Sequence, residues 1–260
     1  GPVVRSMLLF AIPMILGDLL QQCYNIADTL IVGQFLGRNA LAAVGSAFTL
    51  MTFLTSVILG LCMGSGALFS VCWGQRDLAR LRRQTHAAFV LIAVCTVVLN
   101  AATFLLLDAM KTLLSVPAEV WPLMRSYLFV IFFGIGGTFL YNYYASLLRA
   151  VGNSLVPLLF LAASAVLNIA LDLVFVLVCR WGVEGAAAAT VLAQWLSGIG
   201  TAVYTLVRCP ELRARREERR ITGAMLRELL SASVLTCLQQ SVMNLGILMV
   251  QGRINSFGPV

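Results

Sequence analysis

Seven apolar runs, each long enough to cross a lipid bilayer, constrain this chain more than any other feature. About twenty apolar residues span the hydrocarbon core, and a single segment can pair all its backbone polar groups there only as a helix. Hydrophobic residues make up 60% of the chain and charged residues only 11%, unlike a soluble domain. The sequence therefore predicts an all-α, polytopic membrane helix bundle. The predicted segments are residues 7–36, 42–73, 86–107, 123–148, 155–178, 183–207 and 228–251.

Basic residues are distributed unevenly between the two predicted sides of the membrane. The N-terminus and the connections that follow segments two, four and six carry 13 of the 18 Lys and Arg residues. The positive-inside rule then places the N-terminus and the 208–227 connection in the cytoplasm. We therefore expect a multi-pass protein of the cell (inner or plasma) membrane. The 208–227 connection also contains acidic residues, so we interpret it as a solvated linker of mixed charge. No nucleic-acid partner is expected.

A weak internal repeat suggests how the segments are organised. Gln239-Gln240-Ser241-Val242-Met243-Asn244 echoes Gln21-Gln22-Cys23-Tyr24-Asn25, with a slip of one residue. The echo predicts that segment seven opens a second copy of the first six-helix unit, as in transporters built from parallel repeats. We expect a six-helix N-terminal lobe over 1–207, a cytoplasmic linker over 208–227, and the first helix of a truncated C-terminal lobe over 228–260. The chain would then be a fragment of a larger transporter.

Two acidic residues fall inside these apolar runs. Asp28 lies near the middle of the first segment and Asp172 lies in the fifth. A carboxylate at bilayer depth costs several kcal/mol, so such residues are rare and usually functional. An asparagine would form an interhelical hydrogen bond without the cost of ionisation, which argues against a purely structural role. The two acids are the strongest functional indication in the sequence.

Other oxygen-bearing side chains accompany the two acids. Asn168 precedes Asp172 by four residues and Tyr24 precedes Asp28 by four, so each pair shares a helix face. Segments four and six add further candidates: Tyr127, Asn142 and Thr190. An oxygen-rich pocket without Lys or Arg suits a hard cation such as Na⁺, or a proton shared between two acids. Interhelical hydrogen bonding remains the alternative for the uncharged residues.

Three other features carry weaker indications. Pro13 lies inside the first segment, where it removes a backbone hydrogen bond and should kink the helix or let it bend. Asp18 lies on the same segment, about 15 Å from Asp28 along the helix axis, and its role stays open. The seven cysteines are scattered without a Cys-x-x-Cys pair and His86 is the only histidine, so neither a disulfide framework nor a metal site built on these residues is indicated.

Several local sequences together resemble one transporter family. They are Pro13 with Gln21 to Gly37, Gly74-Gln75, Leu148-Arg149-Ala150-Val151-Gly152-Asn153, and Asn168 to Asp172. On these residues the chain resembles the multidrug and toxic compound extrusion (MATE) family of cation-coupled antiporters, from about Arg5 to Val260. The resemblance implies the N-terminal half plus the seventh helix of a twelve-helix protein, and an antiporter rather than an enzyme.

The resemblance also implies a site and a mechanism. A cation, with Na⁺ as the possible metal, would bind at Asp28, Asn168, Asp172 and Thr190, with Asn142 completing its surroundings. Tyr24 and Tyr127 would support the site and Pro13 would be the bending point. No cofactor is implied beyond the coupling ion, Na⁺ or H⁺. The implied activity is export of hydrophobic or cationic organic compounds by alternating access, with the lipid bilayer and the missing C-terminal lobe as further partners.

Rival functions come from other classes. An intramembrane aspartyl protease also uses two membrane aspartates, but its Tyr-Asp and Gly-x-Gly-Asp signatures are absent, since Ala27 precedes Asp28 and Ala170-Leu171 precede Asp172. A lipid-intermediate flippase would be expected to line its cavity with cationic residues, and none lies at mid-membrane depth. A non-transporting membrane subunit is the third alternative. The sequence leaves the coupling ion, the substrates and the oligomeric state open.

Overall fold

The computed structural model describes residues 2–114, 116–214 and 216–255, which form helices and turns without a strand. Seven helices in this part of the chain are long and apolar enough to cross a membrane. The predicted all-α membrane bundle is therefore confirmed. We label these helices α1 (Pro2–Leu36), α2 (Arg38–Gly74), α3 (Leu78–Leu105), α4 (Trp121–Ala150), α5 (Leu155–Val178), α6 (Gly182–Arg208) and α7 (Gly223–Asn255).

Two of the helices contain a local change of geometry. In α4, a 3₁₀ turn over Phe132–Gly134 separates two α-helical parts. In α5, regular α-helix ends at Asp172 and a π-helical turn covers Leu173–Val178. Such π-helical turns occur mostly as single turns and often at functional sites. A short helix, Ala109–Leu113, precedes α4.

Several helices extend beyond the predicted segments, and two of these extensions shorten the predicted connections between segments. α3 begins at Leu78 rather than at 86, so Arg80 and Arg82 lie on its first turns and not in a loop. Asp77 caps this end, since its carboxylate accepts a hydrogen bond of 2.9 Å from the backbone N–H of Arg80. α7 begins at Gly223, so the end of the predicted linker is helical. The division into lobes and linker stays a prediction, and residues 1 and 256–260 at its ends lie outside the described residues.

One of the sequence motifs that carried the family resemblance is a helix ending. After α4, the backbone N–H of Asn153 donates to the carbonyl of Leu148 at 2.8 Å, and that of Gly152 donates to Arg149 at 3.0 Å. Gly152 has φ +88°, a conformation that glycine adopts without strain. The Asn153 side chain then accepts from the backbone N–H of Val156 at 3.2 Å and starts α5. The motif therefore forms the tight turn that aligns α5 beside α4.

Small residues let helix backbones approach closely. A Cβ atom added to Gly64 of α2 would lie 2.4 Å from the Cα atom of Ser233 on α7, and one added to Gly60 would lie 2.5 Å from the Cα of Cys237. Between α4 and α6, a Cβ on Gly137 would lie 2.9 Å from the backbone of Gln194. Close backbone packing matters because lipid offers no hydrophobic drive for helix association.

α1 is the least covered of the helices. It continues through Pro13 as one helix and packs mainly against α5 and α2. Many of its apolar side chains are exposed, including Met7, Leu9 and Ile15. The buried core lies mainly between α2, α4 and α6, so α1 borders the bundle and closes one side of the cavity described below.

Candidate functional site

The predicted site residues converge on one cavity enclosed by α1, α2, α4, α5 and α6. Its volume is about 360 Å³, within the range of small-molecule pockets. Six of the predicted residues line it, while Asp172 lies directly behind this lining and is fully buried. The six are Tyr24, Asp28, Tyr127, Asn142, Asn168 and Thr190.

Asp28 and Asp172 form the centre of this arrangement. Their side chains are electrostatic neighbours across the interface between α1 and α5. Asp172 has 0% exposure, whereas Asp28 is half-buried and reaches the cavity. The pair therefore connects the cavity wall to the bundle interior. Two carboxyl groups this close in a low-dielectric setting cannot both be ionised cheaply without a proton or cation between them.

Asn168 is held in position by α6. Its amide nitrogen donates to the hydroxyl oxygen of Thr190 at 3.3 Å, and the Thr190 hydroxyl donates to the carbonyl of Ala186 at 3.1 Å. Because the nitrogen of Asn168 is bound to α6, its Oδ1 atom is directed elsewhere. Asn168 is almost fully buried, with 1% exposure. The amide therefore offers an oxygen to the same region as the two carboxyl groups.

Four buried oxygen atoms of these residues lack a hydrogen-bond donor among the described residues. They are Oδ1 of Asp28, Oδ1 of Asn168, and both carboxylate oxygens of Asp172. Buried polar atoms are normally paired, and an unpaired one costs about 1–3 kcal/mol, more when it is charged. No Lys, Arg or His lies among the residues found to line the cavity. A cluster of acceptors without donors is electrostatically suited to a proton or a small cation.

The supporting residues are placed at different distances from the acid pair. Tyr24 and Tyr127 are electrostatic neighbours of Asp28, and Tyr127 is also one of Asp172. Asn142 lines the cavity, but its amide donates to the carbonyl of Thr138 in its own helix at 2.8 Å. In the described part of the chain, Asn142 therefore reaches the cavity but bonds to its own helix and not to either acid.

Two residues of α1 lie apart from the cavity. Pro13 precedes Asp28 by four helical turns, about 22 Å along the axis, so it is not part of the site. Asp18 is exposed and is not among the residues that line the cavity. Any influence of either residue on the site must act through the position of α1.

Gln194 on α6 is a polar residue that sequence reasoning missed. It lines the cavity, and its Oε1 atom is buried without a hydrogen-bond donor among the described residues. The spacing does indicate it, because Gln194 follows Thr190 by four residues and Ser197 follows Gln194 by three, which places all three on one helix face. The same stripe occurs on α5, where Ser164 precedes Asn168 by four residues and also lines the cavity.

Comparison with known proteins identifies the family. The MatE family model matches residues 13–174, which is more than half of the chain. The chain belongs to the MatE family. This match contains Asp28, Asn168 and Asp172, and it confirms the resemblance drawn from the motifs. Members of this multidrug and toxic compound extrusion (MATE) family are membrane transporters, and the protein is therefore a multi-pass membrane protein of a transporter family.

Individual relatives agree with this assignment. The chain is similar to the probable multidrug resistance proteins YpnP and YoeA of Bacillus subtilis, with 31% and 30% identity over 99% and 98% of the chain. It spans 58% and 57% of the length of those two relatives. A solved transporter of the MOP superfamily from Pyrococcus furiosus superposes with a TM-score of 0.87 at 24% identity, over 94% of this chain and 54% of that one. This last likeness shows a shared fold.

Proposed function

We propose that this chain is the N-terminal lobe and seventh helix of a MATE antiporter that exports hydrophobic or cationic organic compounds in exchange for Na⁺ or H⁺. The observation that carries the proposal is the cluster of unpaired, buried oxygens on Asp28, Asn168 and Asp172 beside the cavity. The names of the multidrug resistance relatives support the substrate class. Their greater length supports a second lobe beyond the residues of this chain.

The coupling ion would bind between α1 and α5. A proton would be shared by Asp28 and Asp172, which are electrostatic neighbours. Na⁺ would instead use the carboxylate oxygens together with the Asn168 amide oxygen, while Thr190 holds the amide in place. Either ion relieves the repulsion between the carboxylates and the cost of the unpaired oxygens. Loading the site would therefore draw α1 against α5.

The movement of α1 would couple the ion to the substrate. α1 forms one wall of the cavity through Tyr24 and Asp28, and much of its outer surface is uncovered. Pro13 breaks the backbone hydrogen-bond ladder of this helix and makes it the natural bending point. We propose that ion binding at Asp28 and Asp172 changes the bend near Pro13 and reshapes the cavity during alternating access.

The orientation in the membrane follows from charge. The basic end of the bundle carries the N-terminus and the 208–222 connection, with most of the Arg residues. We propose that this end faces the cytoplasm of a plasma-membrane protein. A lipid-intermediate flippase is the second candidate, but the cavity lacks a cationic residue among its described lining residues, and a pyrophosphate head would need one.

Transport by the full-length protein in proteoliposomes tests the proposal. Na⁺ and pH gradients are imposed separately, and efflux of a cationic dye is followed. Asp28→Asn should abolish gradient-driven efflux at unchanged expression, whereas Asp18→Asn, which changes an exposed acid of the same helix, should retain it. Unimpaired efflux by Asp28→Asn under both gradients would overturn the proposal.

A further inference from the structure

A second cavity lies at the basic end of the bundle, away from the acid pair. It is enclosed by the ends of α3, α4 and α6 and by the linker that follows α6, and its volume is about 240 Å³. That is below the usual range for drug-sized ligands, which begins at about 300 Å³. The cavity shares no lining residue with the one beside Asp28. The cavity therefore has room for a small ligand or for one part of a larger ligand.

One wall of this second cavity is aromatic. Phe89 of α3 packs edge-to-face on Tyr143 of α4, with ring centroids 5.2 Å apart, and Tyr144 packs on Tyr143 at 5.0 Å. The Tyr143 hydroxyl donates to the backbone carbonyl of Thr85 at 2.7 Å, which fixes the ring. This wall is rigid and mostly apolar, so it fits the hydrocarbon part of a ligand.

The opposite wall is cationic. Arg213 and Arg219 of the linker line the cavity together with His86 of α3, and His86 and Arg219 are electrostatic neighbours. No acidic side chain occurs among the described residues that line it. Neither arginine belongs to an ion pair found in the described part of the chain. The charged side chains among the described lining residues of this cavity are therefore all basic.

The two arginines are positioned by anchors next to them in the chain. Leu212, which precedes Arg213, is buried with 5% exposure. Glu218, which precedes Arg219, accepts hydrogen bonds of 2.8 and 3.0 Å from the Arg82 guanidinium of α3. The linker is thus held against the bundle at both sides of the cavity. Both arginines are exposed at the cavity, and the residue that precedes each of them is held against the bundle.

The depth of the cavity fits the interface between lipid headgroups and hydrocarbon. α3 has 28 residues, about 42 Å, against a hydrocarbon core of about 30 Å. About 6 Å of each end therefore lies among the headgroups. His86 lies eight residues, about 12 Å, inside the start of α3. With α3 centred in the bilayer, the cavity would extend from the headgroup layer into the outer hydrocarbon, with the arginines on the polar side and the aromatic rings on the apolar side.

We propose that this cavity is a binding site for a phosphate-bearing anion, with Arg213 and Arg219 as its main ligands. The guanidinium groups bind phosphate oxygens through charge-assisted hydrogen bonds. The aromatic wall of Phe89, Tyr143 and Tyr144 favours a phosphate carried on an apolar chain, as in an anionic phospholipid of the surrounding bilayer. This site shares no lining residue with the cavity beside Asp28.

Ligand titration of the purified full-length protein in detergent tests the proposal. Isothermal titration calorimetry is carried out with dioctanoyl phosphatidylglycerol, with dioctanoyl phosphatidylcholine and with inorganic phosphate. Phosphatidylglycerol should bind at one saturable site, and the zwitterionic lipid about tenfold more weakly. Arg219→Gln should weaken the binding of phosphatidylglycerol about tenfold. Arg220→Gln is the matched control, because it removes the same charge from the next residue, which does not line the cavity.

The three ligands and the two variants distinguish a phosphate carried on a lipid from a phosphate free in solution. Saturable binding of phosphatidylglycerol that Arg219→Gln weakens and Arg220→Gln does not identifies a lipid headgroup site. Binding of inorganic phosphate with the same dependence on Arg219 supports the phosphate site and identifies solution as its source. Equal effects of Arg219→Gln and Arg220→Gln, or equal affinity for both lipids, would overturn the proposal.

Discussion

The carboxyl groups of Asp28 on α1 and Asp172 on α5 are electrostatic neighbours, and three of their oxygens lack a donor in the described part of the chain. One acid reaches the cavity and the other is fully buried behind it. This relationship ties the position of α1 to the protonation or cation occupancy of a site inside the bundle.

Asp172→Asn should stabilise the protein in sodium-free buffer at pH 8. The substitution removes a buried charge that lacks a partner, so the free energy of unfolding should rise by about 1–3 kcal/mol. Added sodium or acidification should raise the melting temperature of the wild type and leave that of the variant unchanged. Thermal denaturation in detergent measures both effects. A variant that keeps the wild-type response to sodium and to pH would contradict the role of Asp172.

Thr190→Val should weaken cation binding although it changes neither Asp28 nor Asp172. The valine removes the oxygen that accepts the Asn168 amide hydrogen bond, so the amide oxygen is no longer held toward the carboxyl groups. Loss of such an orienting partner typically lowers cation affinity about tenfold or more. The affinity is read from the dependence of the melting temperature on sodium concentration or pH. Ser197→Ala, a hydroxyl lost from the same helix and cavity, should leave the affinity unchanged.

Gly64→Ala should destabilise the packing of α7 on α2. The added Cβ would lie 2.4 Å from the Cα of Ser233, which is backbone and cannot move aside alone. We expect a loss of about 1–3 kcal/mol. Gly45→Ala is the control on the same helix, since no atom lies within 4 Å of its Cβ position. Equal melting temperatures for the two variants would show that α7 does not pack on α2 in this way.

Arg82→Gln should lower stability more than Arg125→Gln does. The Arg82–Glu218 pair is shielded, with side-chain exposures of 14% and 15%, whereas the Arg125–Asp108 pair is exposed at 52% and 76%. Exposed pairs contribute about 0–1 kcal/mol, and shielded pairs with several hydrogen bonds contribute more. Arg82→Gln should also increase proteolysis of the linker, since Glu218 bonds to Arg82. Equal melting temperatures and equal proteolysis of the two variants would contradict the anchoring of the linker by Arg82.

The helices could be predicted because the bilayer limits backbone choice. All seven spans followed from apolar length, since a segment in lipid must pair its own backbone groups. The predicted start of α3 is eight residues too late, because the apolar run begins only after the charged residues Arg80 and Arg82. Their long side chains pair with Glu228 and Glu218 at the end of the bundle, so the helix can begin before the apolar run does.

The site was only partly predictable from local patterns. Asp28, Asn168 and Asp172 stand out because charged and amide groups are costly inside apolar helices. Gln194 carries an amide, like Asn168, and lies on the same helix face as Thr190. Because it is uncharged, it does not stand out from the other polar residues of α6. The 3₁₀ turn in α4 ends at Gly134, where the glycine cluster Gly134, Gly136 and Gly137 indicates a bending point. The π-helical turn after Asp172 has no comparable signal in the sequence.

By itself, the sequence determined that the chain crosses the membrane as helices and that two of them carry acids, because lipid excludes other backbone structure and penalises charge. Only the tertiary structure decided that Asp28 and Asp172 meet, that Asn142 bonds within its own helix, and that Arg213 and Arg219 face an aromatic wall. Each of these depends on the rotation and spacing of helices about their axes. Packing at residues such as Gly64 and Gly137 sets that geometry, and it is a property of pairs of helices rather than of any one segment.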